Sequence, residues 1–117
     1  MISLRAFQTI YNEQVKFQKE VLQRHPYDFE VKDLPEDNVQ GCSFHIQQLM
    51  SEIGEVLSAD KRWKNFRNNK CDLENKKEEI ADCFIVLMNV AIFSGLSGKD
   101  LEDTICDKIK TNFERIK

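Results

Sequence analysis

We predict an all-α protein in which four helices form a bundle within one domain, residues 1–117. Three observations support this prediction. Apolar residues recur at helical spacing in four separate segments of the chain. Only four glycines and two prolines occur, which favours long helices over a turn-rich β structure. The hydrophobic share of 41% and the charged share of 32% are typical of a folded globular protein, and 117 residues suffice to bury a core.

The first two predicted helices occupy the N-terminal half of the chain. The first runs from about Ser3, a possible N-cap, to Arg24, and His25-Pro26 ends its pattern. Residues 25–42 hold both prolines and form a connection longer than usual, which suggests a role over a site or a partner. The second helix is predicted from Ser43 to Ala59. Its inward apolar residues are Phe44, Ile46, Leu49, Met50, Ile53, Val56 and Leu57.

The third predicted helix begins near Glu74 or Lys77 and reaches Phe93, before a stop at Ser94-Gly95. Ser97, with Asp100 three residues later, predicts the start of a fourth helix that ends near Ile116. The inward residues of this fourth helix are Leu101, Ile105, Ile109 and Phe113.

Composition argues against several classes of protein. A net charge of −3 gives no reason to expect a nucleic-acid partner. The apolar run from Ile80 to Phe93 is shorter than the ~20 residues needed to cross a bilayer, so we predict a buried core helix and no membrane partner. The N-terminus lacks the pattern of a signal peptide. Four scattered cysteines without a CxxC pair indicate free thiols in a reducing compartment, hence a cytoplasmic protein.

Two pairs of acids, each with i, i+3 spacing, mark the second and third helices. Glu52 and Glu55 form one pair, and Glu79 and Asp82 the other. Like charges at this spacing repel, and a carboxylate beside so apolar a run is costly to bury unless it is paired or binds metal. If the pairs meet, their hard oxygen ligands suit Mg²⁺ or Mn²⁺. The alternatives are a solvated face for Glu52 and Glu55, and a dipole-favoured acid in the first turns for Asp82.

Cationic and aromatic residues supply candidate substrate ligands. Lys108, Asn112 and Arg115 line one stripe of the fourth helix and could face phosphate oxygens, although cations near a helix C-terminus are favoured in any case. The stretch from Lys61 to Arg67 adds cations. Trp63 within it could stack on a base, or could be a core or interface residue. His45, Trp63 and the 25–42 connection could together shape a base pocket.

These motifs resemble those of the MazG-like, all-α nucleoside triphosphate pyrophosphohydrolases, a superfamily that includes the dimeric dUTPases and the dCTP pyrophosphatases. Its signature is ExxE, a spacer, then ExxD. Residues 52–55 (EIGE) and 79–82 (EIAD) match it with 23 residues between them. Residues 108–115 (KIKTNFER) are similar to the superfamily's KxxxNxxR. The resemblance covers about residues 44–115.

The resemblance implies Mg²⁺-dependent hydrolysis of a (deoxy)nucleoside triphosphate between the α and β phosphates, giving a nucleoside monophosphate and pyrophosphate, as in nucleotide-pool cleansing. The implied catalytic and metal-binding residues are Glu52, Glu55, Glu79 and Asp82. By the same analogy Glu55 orients or deprotonates the attacking water. The implied phosphate ligands are Lys108, Asn112 and Arg115, and Asn89 would reach sugar or base. Ser51 stands where many members carry a further Glu, which could weaken a second metal site.

An almost wholly apolar helix leaves a surface that needs covering, so we expect a homodimer. The resemblance separately implies a homodimer or a homotetramer. The base preference stays open between dUTP, dCTP, purine and modified nucleotides. Two other functions remain as alternatives: a non-catalytic helical dimerisation or interaction module, and a degenerate member that binds nucleotides without cleaving them. Saturable binding of Mg²⁺ or Mn²⁺ is required by the enzyme and not by the interaction module.

Overall fold

Four α-helices account for most of the fold. A computed structural model describes residues 6–64 and 70–117, and within these ranges the chain has no strand. The all-α prediction is confirmed. Phe66, Arg67 and the possible cap Ser3 lie outside the described residues. The helices are α1 (Ala6–Arg24), α2 (Val39–Ala59), α3 (Leu73–Ile92) and α4 (Gly98–Arg115), and a 3-10 turn, Lys61–Trp63, follows α2.

Helix α2 begins four residues before the predicted Ser43, because Asn38 is its cap. The Asn38 side chain accepts a hydrogen bond from the Gly41 backbone N–H over 2.8 Å and donates to the Glu30 carbonyl over 2.8 Å. An asparagine in extended backbone geometry is among the strongest N-caps. The bond to Glu30 holds the preceding connection in place, and α2 therefore starts directly after Asn38.

The start of α3, the turn after it and the start of α4 are each determined by residues close by in the sequence. Asp72 caps α3, whose start at Leu73 lies just before the predicted Glu74. The chain turns at Gly95, where φ is 82°, a left-handed conformation that glycine adopts without strain. Ser97 then caps α4 by accepting a hydrogen bond from the Asp100 backbone N–H, as predicted.

Helices α2 and α3 pack most extensively and run antiparallel. At one end a backbone bridge joins Asp60 to Cys71, and at the other Cys42 Sγ lies 3.5 Å from the Ser94 hydroxyl. Helix α1 packs on α3, and α4 packs mainly on α1. The core lies where α1 meets the C-terminal end of α3, and Tyr11 donates a hydrogen bond from there to the Leu96 carbonyl over 2.6 Å. The buried apolar residues of this core are Tyr11, Leu34, Ala91, Ile92 and Phe93.

The connection between α1 and α2 is tied to the end of α3. The backbone N–H groups of Glu36 and Asn38 donate to the carbonyls of Ile92 and Phe93. The Leu34-Pro35 peptide bond is cis, and Leu34 is buried in the core. These contacts hold the long connection against the bundle, with its aromatic residues directed toward α2 and α3.

The predicted inward faces are only partly buried within one chain. On α2, Met50 is 69% exposed, and on α3, Phe84 is 66% exposed, so α3 is not the fully buried core helix that its composition predicted. On α4 only Leu101 packs against the core, and Phe113 is 60% exposed. The radius of gyration, 17.1 Å, exceeds the roughly 13 Å typical of a compact domain of this length. Helical periodicity marked these faces as apolar, but the prediction that they face inward is wrong for most of their residues in the single chain. The exposed ones are Phe44, Ile46, Met50, Ile53, Leu57, Ile105, Ile109 and Phe113.

Within the described ranges, none of the helices combines the length and apolar character needed to traverse a lipid bilayer. All four cysteines are free thiols, as predicted from their spacing.

Candidate functional site

Three of the four predicted acids converge where α2 and α3 face each other. One carboxylate oxygen each from Glu52, Glu79 and Asp82 lies within 4.8 Å of the other two. Glu52 projects from α2, and the antiparallel pairing brings it level with the other two acids on α3. Asp82 is exposed, whereas the sequence predicted a buried carboxylate, because the α3 face that carries it opens to solvent. The acids therefore stand at a surface, where ions can reach them.

The fourth acid, Glu55, is exposed and lies outside this group of three. Glu55 is still close enough for its negative charge to act on Glu79. Partial burial raises the pKa of Glu79, and the negative charges of Asp82, Glu55, Glu52 and Glu78 raise it further. The neighbouring charges therefore oppose the ionisation of Glu79, and a cation among the acids would relieve that repulsion.

A cleft of about 420 Å³ lies directly beside the acids, with Glu52 and Asp82 in its wall. Polar amides and aromatic rings form the remaining surface, and the helix pair contributes His45 and Asn89, both predicted as substrate ligands. Such a mixture of apolar walls with a few placed polar groups is typical of small-molecule sites. The other wall residues are Gln14, Phe17, Gln18, Tyr27, Phe44, Gln48, Ile85 and Val86.

His45 is the most unusual polar group in this cleft, being only 1% exposed. The Tyr27 hydroxyl donates to Oε1 of Gln18 over 2.7 Å and lies 3.3 Å from Nε2 of His45. Since that hydroxyl proton is already donated, Nε2 is the nitrogen that donates to Tyr27, which leaves Nδ1 as an acceptor. Nδ1 is buried and has no hydrogen-bond partner among the described residues. A buried acceptor without a partner is costly, so a donor that reaches this atom, from a bound molecule or from a repositioned side chain, would stabilise the site.

Burial lowers the pKa of His45, and the nearby Gln48 side chain offsets part of this effect. The ring packs edge-on against Phe44 and lies 4.8 Å, centroid to centroid, from Phe93. These contacts keep the imidazole neutral and hold its orientation. A neutral imidazole can accept a hydrogen bond at Nδ1, which a protonated ring cannot do.

Asn89 forms the floor of the cleft and is 4% exposed. Its Oδ1 accepts a hydrogen bond from Nε2 of Gln14 over 2.9 Å. The Asn89 nitrogen is therefore the end of this amide left to donate. Asn89, the one amide in the apolar run of residues 83–93, thus lines the cleft.

The predicted phosphate ligands on α4 do not reach this site in the single chain. Lys108, Asn112 and Arg115 are exposed, do not line the cleft, and form no ion pair within the described ranges. Helix α4 starts beyond the C-terminal end of α3 and packs on the N-terminal half of α1, as the bond from Gln8 to Glu102 shows. The acids lie in the N-terminal half of α3, away from the end that leads into α4.

Lys61 and Trp63 also lie apart from the cleft. Trp63 is about half exposed, and its indole N–H donates to the Leu57 carbonyl over 2.8 Å. It forms one wall of a separate, largely apolar groove of about 700 Å³ at the far end of α2. Beside it, Asp60 binds both Arg62 and Lys76, at 2.7 Å and 2.8 Å. The neighbouring Arg67 lies outside the described residues.

Sequence reasoning did not assign several of the cleft residues to the site, among them Gln18 and Tyr27. Gln18 is buried on the inward stripe of α1, seven residues after Tyr11, and a polar residue in that position was the available signal. Tyr27 comes from the long connection, whose path depends on its bonds to the end of α3. The suggested role of that connection over a site agrees with Tyr27 lying in the cleft wall.

Comparisons of this chain with protein-family models, with curated proteins and with solved structures found no match. Its function is therefore inferred from the chemistry of the cleft and the acids, because a fold alone does not specify an activity.

Proposed function

We propose that this protein is a Mg²⁺-dependent nucleoside triphosphate pyrophosphohydrolase that releases a nucleoside monophosphate and pyrophosphate. One observation carries the proposal: three converging carboxylates stand at the edge of a cleft that contains a buried, unpartnered histidine nitrogen. The acids suit a metal-bound polyphosphate, and the cleft suits the base and sugar. The choice of the cleaved bond, between the α and β phosphates, is based on the motif resemblance.

The acid group fits a hard divalent cation. Two oxygens on opposite sides of a bound Mg²⁺ are separated by about 4 Å, and the three carboxylate oxygens already lie within 4.8 Å of one another. Carboxylate oxygen is the ligand that Mg²⁺ and Mn²⁺ prefer. The raised pKa of Glu79 supports the same conclusion, since mutual repulsion among the acids is what a cation would remove. Glu52, Glu79 and Asp82 would hold the ion, and Glu55 stands next to them.

The cleft has the features of a nucleoside pocket. His45 Nδ1 accepts a donor such as a ring N–H, an exocyclic amino group or a sugar hydroxyl, and Asn89 donates to an acceptor. Phe17, Tyr27 and Phe44 supply flat apolar surface against which a base can pack. A volume of about 420 Å³ accommodates a base with part of its sugar.

Different residues of this chain would perform different parts of the reaction. A bound Mg²⁺ supplies charge neutralisation of the phosphates and lowers the pKa of bound water. Glu55, exposed and not among the three converging acids, is free to accept the proton of the attacking water on a carboxylate oxygen. His45 and Asn89 would fix the nucleoside so that the α phosphorus lies beside the acids, which makes attack effectively unimolecular.

The decisive experiment measures pyrophosphate release with a panel of canonical, damaged and deoxy nucleoside triphosphates. We expect Mg²⁺-dependent turnover with at least one of them, and Glu79→Gln or Asp82→Asn should abolish it without loss of helical circular dichroism. Glu74→Gln, an exposed acid on the same helix, is the matched control and should keep wild-type turnover. Wild-type turnover by either site variant would exclude the assigned metal site.

A non-catalytic interaction module is the second candidate, and the uncovered apolar faces of α2, α3 and α4 favour it. A degenerate member would bind a non-hydrolysable triphosphate without releasing pyrophosphate. Titration calorimetry with Mg²⁺ and such an analogue separates these functions from the enzyme. We also propose a cytoplasmic location and a role in nucleotide-pool cleansing. The four free thiols support a reducing compartment.

A further inference from the structure

Three polar side chains from three separate elements meet in the wall of the cleft. Gln18 comes from α1, Tyr27 from the connection that follows it, and His45 from α2. Tyr27 lies between the other two, since its hydroxyl donates to Oε1 of Gln18 over 2.7 Å and lies 3.3 Å from Nε2 of His45. Gln18 is 4% exposed and His45 is 1% exposed, so little solvent reaches these contacts.

Neighbouring aromatic rings hold Tyr27 between these two partners. Its ring stacks on Phe29 with the centroids 4.8 Å apart. It also packs edge-on against Phe44 at 5.4 Å and against Phe93 at 5.8 Å. Because the ring is held by these contacts, the hydroxyl oxygen keeps its place, whereas the O–H bond is free to rotate. The hydroxyl can therefore answer a change in either partner by redirecting its proton.

The tautomer of His45 follows from how many polar atoms each arrangement leaves unpaired. While Gln18 accepts the Tyr27 proton, the hydroxyl oxygen can only accept from His45, so the imidazole proton lies on Nε2. Without an acceptor at Gln18, this arrangement would leave both the Tyr27 proton and Nδ1 of His45 without a partner. If the Tyr27 proton instead turned to Nε2 and the imidazole proton moved to Nδ1, only Nδ1 would be unpaired. Because each buried unpaired group is costly, the second arrangement would then prevail.

The tautomer decides which kind of ligand the cleft matches. With the proton on Nε2, Nδ1 of His45 is an acceptor, and the Asn89 amide nitrogen in the same cleft is a donor. That combination matches a molecule that carries both a donor and an acceptor. With the proton on Nδ1, the same two residues would offer two donors and would match a molecule with acceptors only.

We propose that Gln18 and Tyr27 are positioning residues that determine the ligand specificity of the cleft. They hold His45 in the tautomer with its proton on Nε2, so that the cleft takes a base or sugar that brings an N–H or O–H donor to Nδ1. A ligand with only an acceptor at that position is rejected. The tautomer is a property of the free protein, and only its consequence for nucleotide choice rests on the proposed function.

The chain contains only two histidines, which makes the tautomer directly measurable without reference to activity. Long-range proton–nitrogen NMR correlations of ¹⁵N-labelled protein distinguish the protonated ring nitrogen from the unprotonated one, and the exposed His25 is an internal reference. We expect His45 of the wild type to be neutral, with its proton on Nε2, near neutral pH. Gln18→Met keeps the length of the side chain but removes the strong acceptor, and it should move the proton to Nδ1 in most molecules.

Two further proteins separate this mechanism from a general disturbance of the cleft. Gln14→Met makes the same substitution about one turn earlier on α1, at an amide that bonds to Asn89, and should leave the His45 tautomer unchanged. Adding Tyr27→Phe to Gln18→Met should cancel the shift of the proton to Nδ1, because the hydroxyl that causes it is gone. Gln18→Leu repeats the test with a smaller apolar side chain, and circular dichroism checks the helix content of every variant.

Several results would overturn the proposal. One is wild-type protein in which His45 carries its proton on Nδ1 or on both nitrogens. Others are wild-type ring signals in folded Gln18→Met or Gln18→Leu, a shifted proton in Gln14→Met, or a shift that persists without the Tyr27 hydroxyl.

Steady-state kinetics then tests the consequence for nucleotide choice. With the triphosphate that the wild type hydrolyses best, Gln18→Met should raise KM about tenfold or more, because a donor on His45 now faces the donor of the ligand. The kcat should change far less, since this contact is made in the ground state and in the transition state alike. An unchanged KM in a variant whose tautomer has shifted would exclude the specificity role. Absence of wild-type turnover would refute the proposed function and leave the NMR measurement decisive for the positioning of His45.

Discussion

Nε2 of Gln14 on α1 donates a hydrogen bond to Oδ1 of Asn89 on α3 over 2.9 Å, between residues 75 positions apart in the chain. This bond joins α1 to the apolar C-terminal half of α3 in the wall of the cleft. It explains why an amide occurs within that apolar helix, since the Asn89 oxygen satisfies a donor on α1. The bond is thus part of both the helix packing and the candidate nucleoside site.

Asn89→Ala should lower the free energy of unfolding by about 1–3 kcal/mol, because the Gln14 amide loses its acceptor in a part-buried position. Urea unfolding measures the change. Asn75→Ala, an exposed position on the same helix, should change it by less than about 0.5 kcal/mol. Equal effects of the two substitutions would contradict the assigned hydrogen bond.

Helical periodicity and caps predicted four helices, and they also predicted the start of α4 at Ser97 and the stop at Gly95. These signals are local, because they depend on residues within one or two turns. The start of α2 was missed because the Asn38 cap lies within a connection whose shape is fixed by backbone bonds to the end of α3. No pattern within residues 25–42 encodes those bonds.

The part of the candidate site that depends on local spacing was also predictable from the sequence. Spacing placed Glu79 and Asp82 on one face of α3, and antiparallel pairing with α2 brought Glu52 to them. The contribution of Tyr27 depends on the tertiary path of the connection, so sequence could not supply it. The position of Lys108 depends on where α4 goes after Gly95, and helical spacing within α4 does not contain that information.

Two glycines on α2 allow a matched test of the packing. A Cβ at Gly41 would overlap the ring of Phe93, which is fully buried, whereas a Cβ at Gly54 would have nothing within 4 Å. Gly41→Ala should therefore destabilise the protein by about 1–3 kcal/mol through overpacking. Gly54→Ala should stabilise it by about 0.5–1 kcal/mol through better helix propensity. Thermal or urea unfolding gives both values, and the same sign for both substitutions would contradict the close approach of α2 to Phe93.

Buried His45 should make the stability of the fold depend on pH. Burial lowers its pKa in the folded protein below the value of about 6.5 in an unfolded chain. As the pH drops below about 6.5, the unfolded chain takes up a proton that the folded protein refuses, so the free energy of unfolding falls until the folded pKa is reached. Urea unfolding between about pH 5 and pH 8 measures this slope.

His45→Gln should flatten the pH dependence, since the group that takes up the proton is gone. His25→Gln removes an exposed histidine and is the matched control; it should keep the wild-type slope. A slope that survives His45→Gln unchanged would show that this imidazole is not held neutral by the fold.

Because the acids repel one another, binding of Mg²⁺ among them should measurably stabilise the folded protein. The pKa of Glu79 is raised by burial and by four neighbouring carboxylates, so its ionised form opposes folding near neutral pH until a cation binds. At ten times its dissociation constant, Mg²⁺ should add about 1.4 kcal/mol to the free energy of unfolding. In a chain of this size the thermal midpoint then rises by about 5 °C, as scanning calorimetry can measure.

Glu79→Gln should have two opposite effects in the same experiment. Without Mg²⁺ it should raise the thermal midpoint above that of the wild type, because one of the repelling charges is removed. With Mg²⁺ it should show little further rise, because an amide is a poor replacement for a carboxylate ligand. Glu74→Gln, exposed on the same helix, should respond to Mg²⁺ as the wild type does. A wild-type midpoint that Mg²⁺ leaves unchanged, or a variant that still responds fully, would mean that the three converging oxygens hold no ion.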